Sequence, residues 1–226
     1  MTKHVLRLAL SAMLLALSVS AAAQPPQHIP RIGYLAAHPL DRELQPFFLQ
    51  GLRELGYTEG HNIVIEQRQA EEGEQDKIRA LAAELVRLNV DVIVVSAGAN
   101  DTQVAKAVIT TTPFVFIQHP DPVGLGLVES LAHPGGNATG QSNLNGPLAG
   151  KRLALLKEVV PAVSRIAFLW MAGSITAPLQ LQDIQAAAPG LGVTLLAFEV
   201  AGPDDVDRVF TALAQARVEA LVVHPT

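Results

Sequence analysis

The sequence predicts an α/β protein of two lobes, each a parallel doubly wound sheet, with the second lobe short of strands. Three observations carry this. Short apolar runs alternate with amphipathic helical stretches along nearly the whole chain, and strict β-α alternation calls for parallel strands joined by right-handed crossovers. The rhythm is broken once, by PFVFIQHPDPVGLGLVESLAHPGGNATGQ over residues 113–141, and restarts after it. Several of the runs are apolar throughout, as strands covered on both faces must be.

Taken in order, residues 31–36 (RIGYLA) form a short strand. The helix after it carries Leu44, Phe47, Phe48, Gly51, Leu52 and Leu55 at i, i+3, i+4, i+7, i+8 and i+11, one apolar stripe. Gly56 supplies its C′ residue, Gly60 and Asn62 a turn, and residues 63–69 a second strand that alternates Ile63, Ile65 and Gln67 against Val64 and Glu66. A helix over 74–88 repeats the stripe with Ile78, Leu81, Ala82, Leu85 and Val86. Strand three is 92–95, residues 96–100 turn the chain, and a third helix runs to 110. Residues 114–117 are too few for a helix and rich in aromatic and β-branched side chains, so they read as a buried strand that stops at Gln118. Asp121 then Pro122 is a good N-cap and first residue for a short helix over 123–131, which HPGGN ends.

The small-residue run 138–144 leads into the second lobe. Helix 147–160 turns Ala149, Leu153, Leu156 and Val160 inward, and strand 166–169 follows. Helix 179–188, strand 193–198, helix 204–216 through Val206, Val209, Phe210, Leu213 and Ala214, and strand 220–223 complete the chain. The expected organisation is a first lobe over 31–137, a hinge crossing at 138–145 and a second lobe over 146–226. Three strands is below the usual sheet size. The second lobe therefore reads as incomplete and the chain as a fragment or truncated frame, the other reading being a naturally small lobe.

Residues 1–23 read as a secretory signal: Lys3 and Arg7 start it, 8–19 is the apolar core, and Ala21-Ala22-Ala23 satisfies the cleavage rule. That core is shorter than the roughly 18 to 20 residues a membrane span needs. Residues 24–30 form a loose leader. The chain has no cysteine, which excludes a lipid-attached cysteine, disulfides, thiolate nucleophiles and cysteine metal sites. The expected location is therefore periplasmic, without a lipid anchor. Removal of the signal leaves 14 basic residues against 21 acidic ones, a charge of −7. Nucleic acid and anionic lipid need a basic face, so neither is an expected partner.

In open parallel sheets ligands bind outside the carboxyl ends of the strands. That selects His38 after strand one, Ser96, Gly98, Asn100 and Asp101 after strand three, Gln118, His119 and Asp121 after strand four, and Trp170 and Ser174 after the first strand of lobe two. The turn 96–98 opens a helix whose free N–H groups could hold a carboxylate. Asp101 in that first turn would repel a ligand anion or pair with a ligand ammonium, and both readings stay open. For Ser96, Asn100 and Asp101 the alternative role is helix capping. Trp170 could stack on a ligand or close the core of its lobe, and His119 could read a ligand or sit as a solvated loop residue. No G-x-S-x-G, H-E-x-x-H, Walker loop or strand-linked G-x-G-x-x-G is present. Neither a catalytic residue nor a metal or cofactor is expected.

The motifs RIGYL, F-x-x-GLRELGYTEGHNIVIEQR, LAAELVRLNVDVIVV, PFVF, DPVGLGLVESLAHPGGNATG and GKRLALLKEVVPAVSRIAFL resemble the ABC-transporter substrate-binding protein family of proteobacterial type. The similarity spans about residues 31 to 223, and the DPV-x-LGLV-x-SL-x-x-PGGN-x-TG block is its most specific part. The resemblance implies a type I periplasmic-binding fold with a hinge, a monomer serving an ABC permease in the inner membrane; some relatives bind aromatic amino acids. Two cleft positions depart from it. Where relatives carry a G-T-P-like sequence this chain has Gly98-Ala99-Asn100-Asp101, and where they carry an asparagine-proline-rich loop it has residues 170–174, WMAGS.

The function expected from sequence is thus binding of a small molecule, an amino acid among the candidates, for an ABC importer. The rival readings are a sensor or adaptor for a membrane receptor and, further off, a secreted hydrolase using Asp121, Asp101 or His119 as base.

Overall fold

The computed structural model describes residues 28–37, 41–144 and 148–224. The expected signal segment, most of the leader and His38 lie outside the described residues.

Eight strands form two parallel sheets. In the first lobe β1 (Arg31–Ala36), β2 (Val64–Gln69), β3 (Val92–Ser96), β4 (Phe114–His119) and β5 (Ala138–Ser142) take the order β2-β1-β3-β4-β5. Helices α1 (Asp41–Glu54), α2 (Gln75–Arg87) and α3 (Ala99–Val108) connect the first four. In the second lobe β6 (Arg165–Met171), β7 (Thr194–Val200) and β8 (Ala220–Val223) take the order β7-β6-β8, with α4 (Ala149–Val159), α5 (Ala177–Ala187) and α6 (Val206–Gln215). All the pairings are parallel. The predicted two-lobe α/β architecture is the one observed.

Side-chain alternation along the strands sorts each core into two faces. On one face of the first sheet Leu35, Ile93, Val95, Phe114 and Phe116 meet Ile78, Ala82 and Leu85 of α2 and Ala105 of α3. On the other, Ile32, Tyr34 and Val94 meet Phe48 and Leu52 of α1. In the second lobe Ile166 and Phe168 pack on Ala149 and Leu153 of α4 and on Ile184 of α5, while Ala167 and Leu169 pack on Val209 and Leu213 of α6. Fully burying such a side chain is worth about 1.5–3 kcal/mol, so these four clusters hold the two sheets to their helices.

Four expectations change. Residues 123–131 are not a helix but consecutive turns: Gly126 takes φ +67, and the N–H groups of Leu127 and Val128 both reach back to the Pro122 carbonyl at 2.8 and 3.1 Å. Two glycines in one short segment weaken a helix, and the turns let the neighbouring Leu127 and Val128 both enter the core of the first lobe. Strand four runs past Gln118 to His119, with a register shift between Phe116 and His119. The run after it is itself β5, paired with β4. A Cβ at Gly140 would overlap the Phe116 carbonyl oxygen, so the close pairing there requires glycine. The helical stripes are also narrower than the spacing implies. Phe47 and Leu55 on α1 are 68 % and 76 % exposed, Val160 just past α4 is exposed, and so are Val206, Phe210 and Ala214 on α6.

Asn137, the residue before β5, is tied down by its own bonds. Its Nδ2 donates to the Ile109 carbonyl at 3.0 Å and the Thr112 carbonyl at 2.7 Å, and its Oδ1 accepts from Lys106.

Candidate functional site

The carboxyl ends of β3 and β4 in the first lobe and of β6 and β8 in the second wall a cavity of about 250 Å³. Its placement follows from the parallel topology: in each sheet the carboxyl ends of the strands lie on one side, and the loops that leave several of them wall this space.

Below the first-lobe wall, Tyr34 donates its hydroxyl to Asp41 Oδ1 at 3.4 Å. Burial first, and the Asp41 charge second, push that phenol up to about 12, so it stays a neutral donor. Ser96 ends β3 at the cavity and is buried. Gly98 then leads into α3, whose start has no side-chain cap. The capping role considered for Ser96, Asn100 and Asp101 is therefore not what the structure shows.

Asn100 instead crosses between the lobes. Its Nδ2 donates to the Gly173 carbonyl at 2.8 Å, and its Oδ1 accepts from the Ile175 N–H at 3.2 Å. One carboxamide satisfies a donor and an acceptor of the facing loop at once. Asp101 lies one residue on, 1 % exposed, with Oδ2 accepting from the Gly73 N–H at 2.9 Å and Oδ1 without a hydrogen-bond partner. Burial pushes its carboxyl above the usual range, partly offset by the Gly73 bond. Gln118 lines the cavity in the left-handed region at φ +55. Its carbonyl accepts from Asn143 Nδ2 at 3.1 Å, and Asn143 N–H returns a bond to the His119 carbonyl at 3.2 Å. The irregularity in β4 thus turns Gln118 toward the cavity, as bulges beside sites commonly do.

The second-lobe wall is made of smaller groups: Met171, Ala172, Gly173, Ser174, Thr176 and His224. His224 Nε2 bonds the Thr176 hydroxyl at 2.8 Å and its Nδ1 has no hydrogen-bond partner. Burial, then the charge of Arg152, hold that imidazole below its ordinary range and keep it neutral. Among the described residues lining the cavity, the acidic groups are Glu72 and Asp101, and no lysine or arginine is present. No group of three or more His, Asp or Glu among the described residues is placed to hold a metal ion. Nor is any helix among them long and apolar enough to cross a membrane.

Of the residues selected from sequence, Ser96, Gly98, Asn100, Asp101, Gln118 and Ser174 line the cavity. Three others are placed elsewhere. His119 is 0 % exposed, its ring edge-on to Phe116 with centroids 5.7 Å apart, and its Nδ1 faces the Asp121 N–H at 3.3 Å. Burial holds it down to about 4 against the opposing pull of Asp121, so it is a neutral core residue and not a solvated one. Asp121 caps its own turn by accepting from the Gly124 N–H at 2.8 Å. Trp170 stacks on Phe168 at 5.6 Å and donates Nε1 to Glu199 at 3.2 Å, which is the core-closing role. Its neighbour Met171 takes the cavity position.

Sequence reasoning passed over Glu72, Gly73 and Gln75, which follow β2. The same carboxyl-end rule selects them, but EEGEQ has the composition of an exposed turn. Thr176 was hidden in the same way, as the residue before a helix.

The family model for the ABC transporter substrate binding protein matches residues 34–225. A tyrosine-binding protein of Clostridioides difficile (strain R20291) is 25% identical over 192 residues, 85% of this chain and 54% of its own length. An ABC domain from Streptococcus pneumoniae crystallised in complex with L-Trp superposes with a TM-score of 0.72 at 27% identity, over 87% of this chain and 65% of its own. A conserved domain protein from Vibrio cholerae gives a TM-score of 0.71 at 26% identity, over 86% and 64%. The chain thus spans about half the length of the curated relative and about two thirds of these solved structures.

Proposed function

This chain belongs to the ABC transporter substrate-binding protein family, and from that premise we propose that it captures a small solute between its lobes for an ABC importer, the solute being an aromatic amino acid. The observation that carries the reading is the cavity itself. It is walled by strand ends of two separate sheets and crossed by the Asn100 bridge, so any molecule in it touches both lobes. About 250 Å³ lies below the roughly 300–1,000 Å³ range of ligand pockets, which favours a single amino acid over a peptide or an oligosaccharide. The solutes named for the Streptococcus and Clostridioides proteins point to the aromatic class.

On this reading the solute works by population shift. A ligand held by both lobes favours the closed arrangement in proportion to its extra affinity for it, and the crossing that follows β5 takes up the backbone change. The closed form is what an inner-membrane permease would recognise, with the protein acting from the periplasm as a monomer. The family resemblance supports that role.

The test is the melting temperature of the protein alone and with each of the twenty amino acids, a set of dipeptides, sugars and aromatic acids. A ligand at about 100 times its Kd adds roughly 2.7 kcal/mol, a shift of about 5 to 10 °C for a chain of this size. A shift confined to aromatic amino acids is the expected result. A shift given by sugars or dipeptides alone would move the protein to another solute class, and no shift from any compound would end the proposal.

A further inference from the structure

The cavity carries a polar imbalance that bears on which solutes can enter. Asp101 Oδ1 is a buried carboxylate oxygen with no hydrogen-bond partner, on a residue that lines the cavity. Leaving such an acceptor unmade costs about 1–3 kcal/mol, and more when it is charged. The partner oxygen Oδ2 is already committed to the Gly73 N–H. Glu72 shares this wall, since a Cβ built on Gly98 would lie 3.2 Å from its Oε1. No lysine or arginine among the described lining residues offsets either acid.

The start of α3 pulls the other way. Its free N–H groups present a partial positive charge of about half a unit and would favour an anion. A carboxylate placed there would sit beside Asp101, a full negative charge in the helix's own first turn, and the full charge outweighs the half. An ammonium group meets neither difficulty. It brings three donors to an oxygen that lacks one and a positive charge to a wall with two acids.

Resting on the reading of this cavity as the solute site, we infer that Asp101 selects for a ligand bearing an ammonium group, seated on Oδ1, and against aromatic carboxylates that lack one. The raised carboxyl is consistent with it, because an ammonium would stabilise the charged form that burial disfavours.

The experiment is isothermal titration of the full chain with L-tryptophan, tryptamine and indole-3-propanoate, and with L-tyrosine, tyramine and 3-(4-hydroxyphenyl)propanoate. The amino acid and the amine of a series should bind. The acid without an amine should bind at least about 30-fold more weakly, the lower end of what removing one partner of a buried charge pair costs. Asp101→Asn should weaken the amine-bearing compounds by a similar factor and close the gap to the acid. The wild-type comparison stands without the variant, and the variant's own melting curve reports its folding. Acids that bind within about threefold of the amino acids, or an amine-to-acid ratio unmoved by D101N, would overturn the role of Asp101 while leaving the cavity a solute site. Binding by none of these compounds or of the amino-acid panel would overturn both.

Discussion

The two lobes begin as the same unit. β1 and β6 both open on Arg-Ile and take their neighbours in the same register, Arg31 opposite Val64 and Arg165 opposite Thr194, Ile32 opposite Val92 and Ile166 opposite Ala220. An acid precedes the third strand in each. Asp91 accepts from the Arg31 N–H at 2.7 Å and Glu219 from the Arg165 N–H at 3.1 Å, and each donates its own N–H back to that arginine's carbonyl. Extended by one residue, the register makes Ser96 and His224 counterparts at the cavity. The lobes part from there. The first adds β4 and β5, so β1, β3 and β4 are interior strands; the second has β6 alone between two edges. The lobe with clamped strands supplies a buried acid and a left-handed Gln118 to the cavity, groups that need a rigid frame. The other supplies Met171, the loop 172–176 and the buried His224. The contrast teaches that, if the cavity takes a solute, the first lobe supplies the buried acid and the strained residue that would select it.

The strongest way to break that contrast is Phe168→Ala. Phe168 is fully buried on β6 and carries both the Trp170 stack and the edge contact with His224. Its loss should cost about 3–5 kcal/mol. Hydrogen exchange should then find β6 amides unprotected while β1 and β3 keep their protection; equal loss in both sheets would make the lobes one cooperative unit.

Acid should come next, and His119 gives it a first-lobe share. Its folded value near 4 lies below the ordinary 6.5, so the unfolded chain binds the proton more readily between those limits. Stability is therefore complete above about pH 6.5 and falls as pH drops toward 4, by on the order of 3 kcal/mol. His119→Gln should remove that part of the slope in melting temperatures taken from pH 7 to 4, and an unchanged slope would show that His119 does not carry it.

A smaller effect is expected at Gln118. A non-glycine residue in the left-handed region costs about 1–2 kcal/mol, so Gln118→Gly should gain up to about 1 kcal/mol, after glycine's own entropic cost, while solute affinity falls. A variant that lost stability would show that the rigid frame and not the solute needs this side chain. Smallest of all is Trp170→Phe. With its ring on Phe168 and its N–H on Glu199, its replacement should leave solute affinity within about twofold, and in the unsubstituted protein the Trp170 emission should barely move on binding a tyrosine-class ligand. A large shift would bring the second lobe into the reading role.

Most of the fold was legible because apolar runs and helical stripes report burial directly. The misreadings share a physical cause: a tertiary partner decided what local pattern left open. Nothing local says that Gln118 will leave the β region so that His119 can pack under Phe116. The DPVGLG segment has a cap and a proline in the right places, yet its two glycines and the adjoining Leu127 and Val128 suit turns better. In the cavity, parity mattered. Successive strand residues face opposite sides, so reading strand six as ending at Leu169, two residues before its observed end, put Trp170 where Met171 stands. Ser96, Asn100 and Asp101 were reachable because the strand-end rule depends only on topology, and Glu72 was reachable by the same rule had its acidic neighbours not looked like plain surface.

The Asn100 bridge sets a clock as well as a geometry. On the proposed reading, Asn100 ties the lobes together through Gly173 and Ile175, so parting the lobes to admit a solute requires both bonds to break. Observed association rates should rise with solute concentration and then level off at the opening rate of the bridge, and departure should be slowed by the same two bonds. On that reading, slow capture is exchanged for slow release.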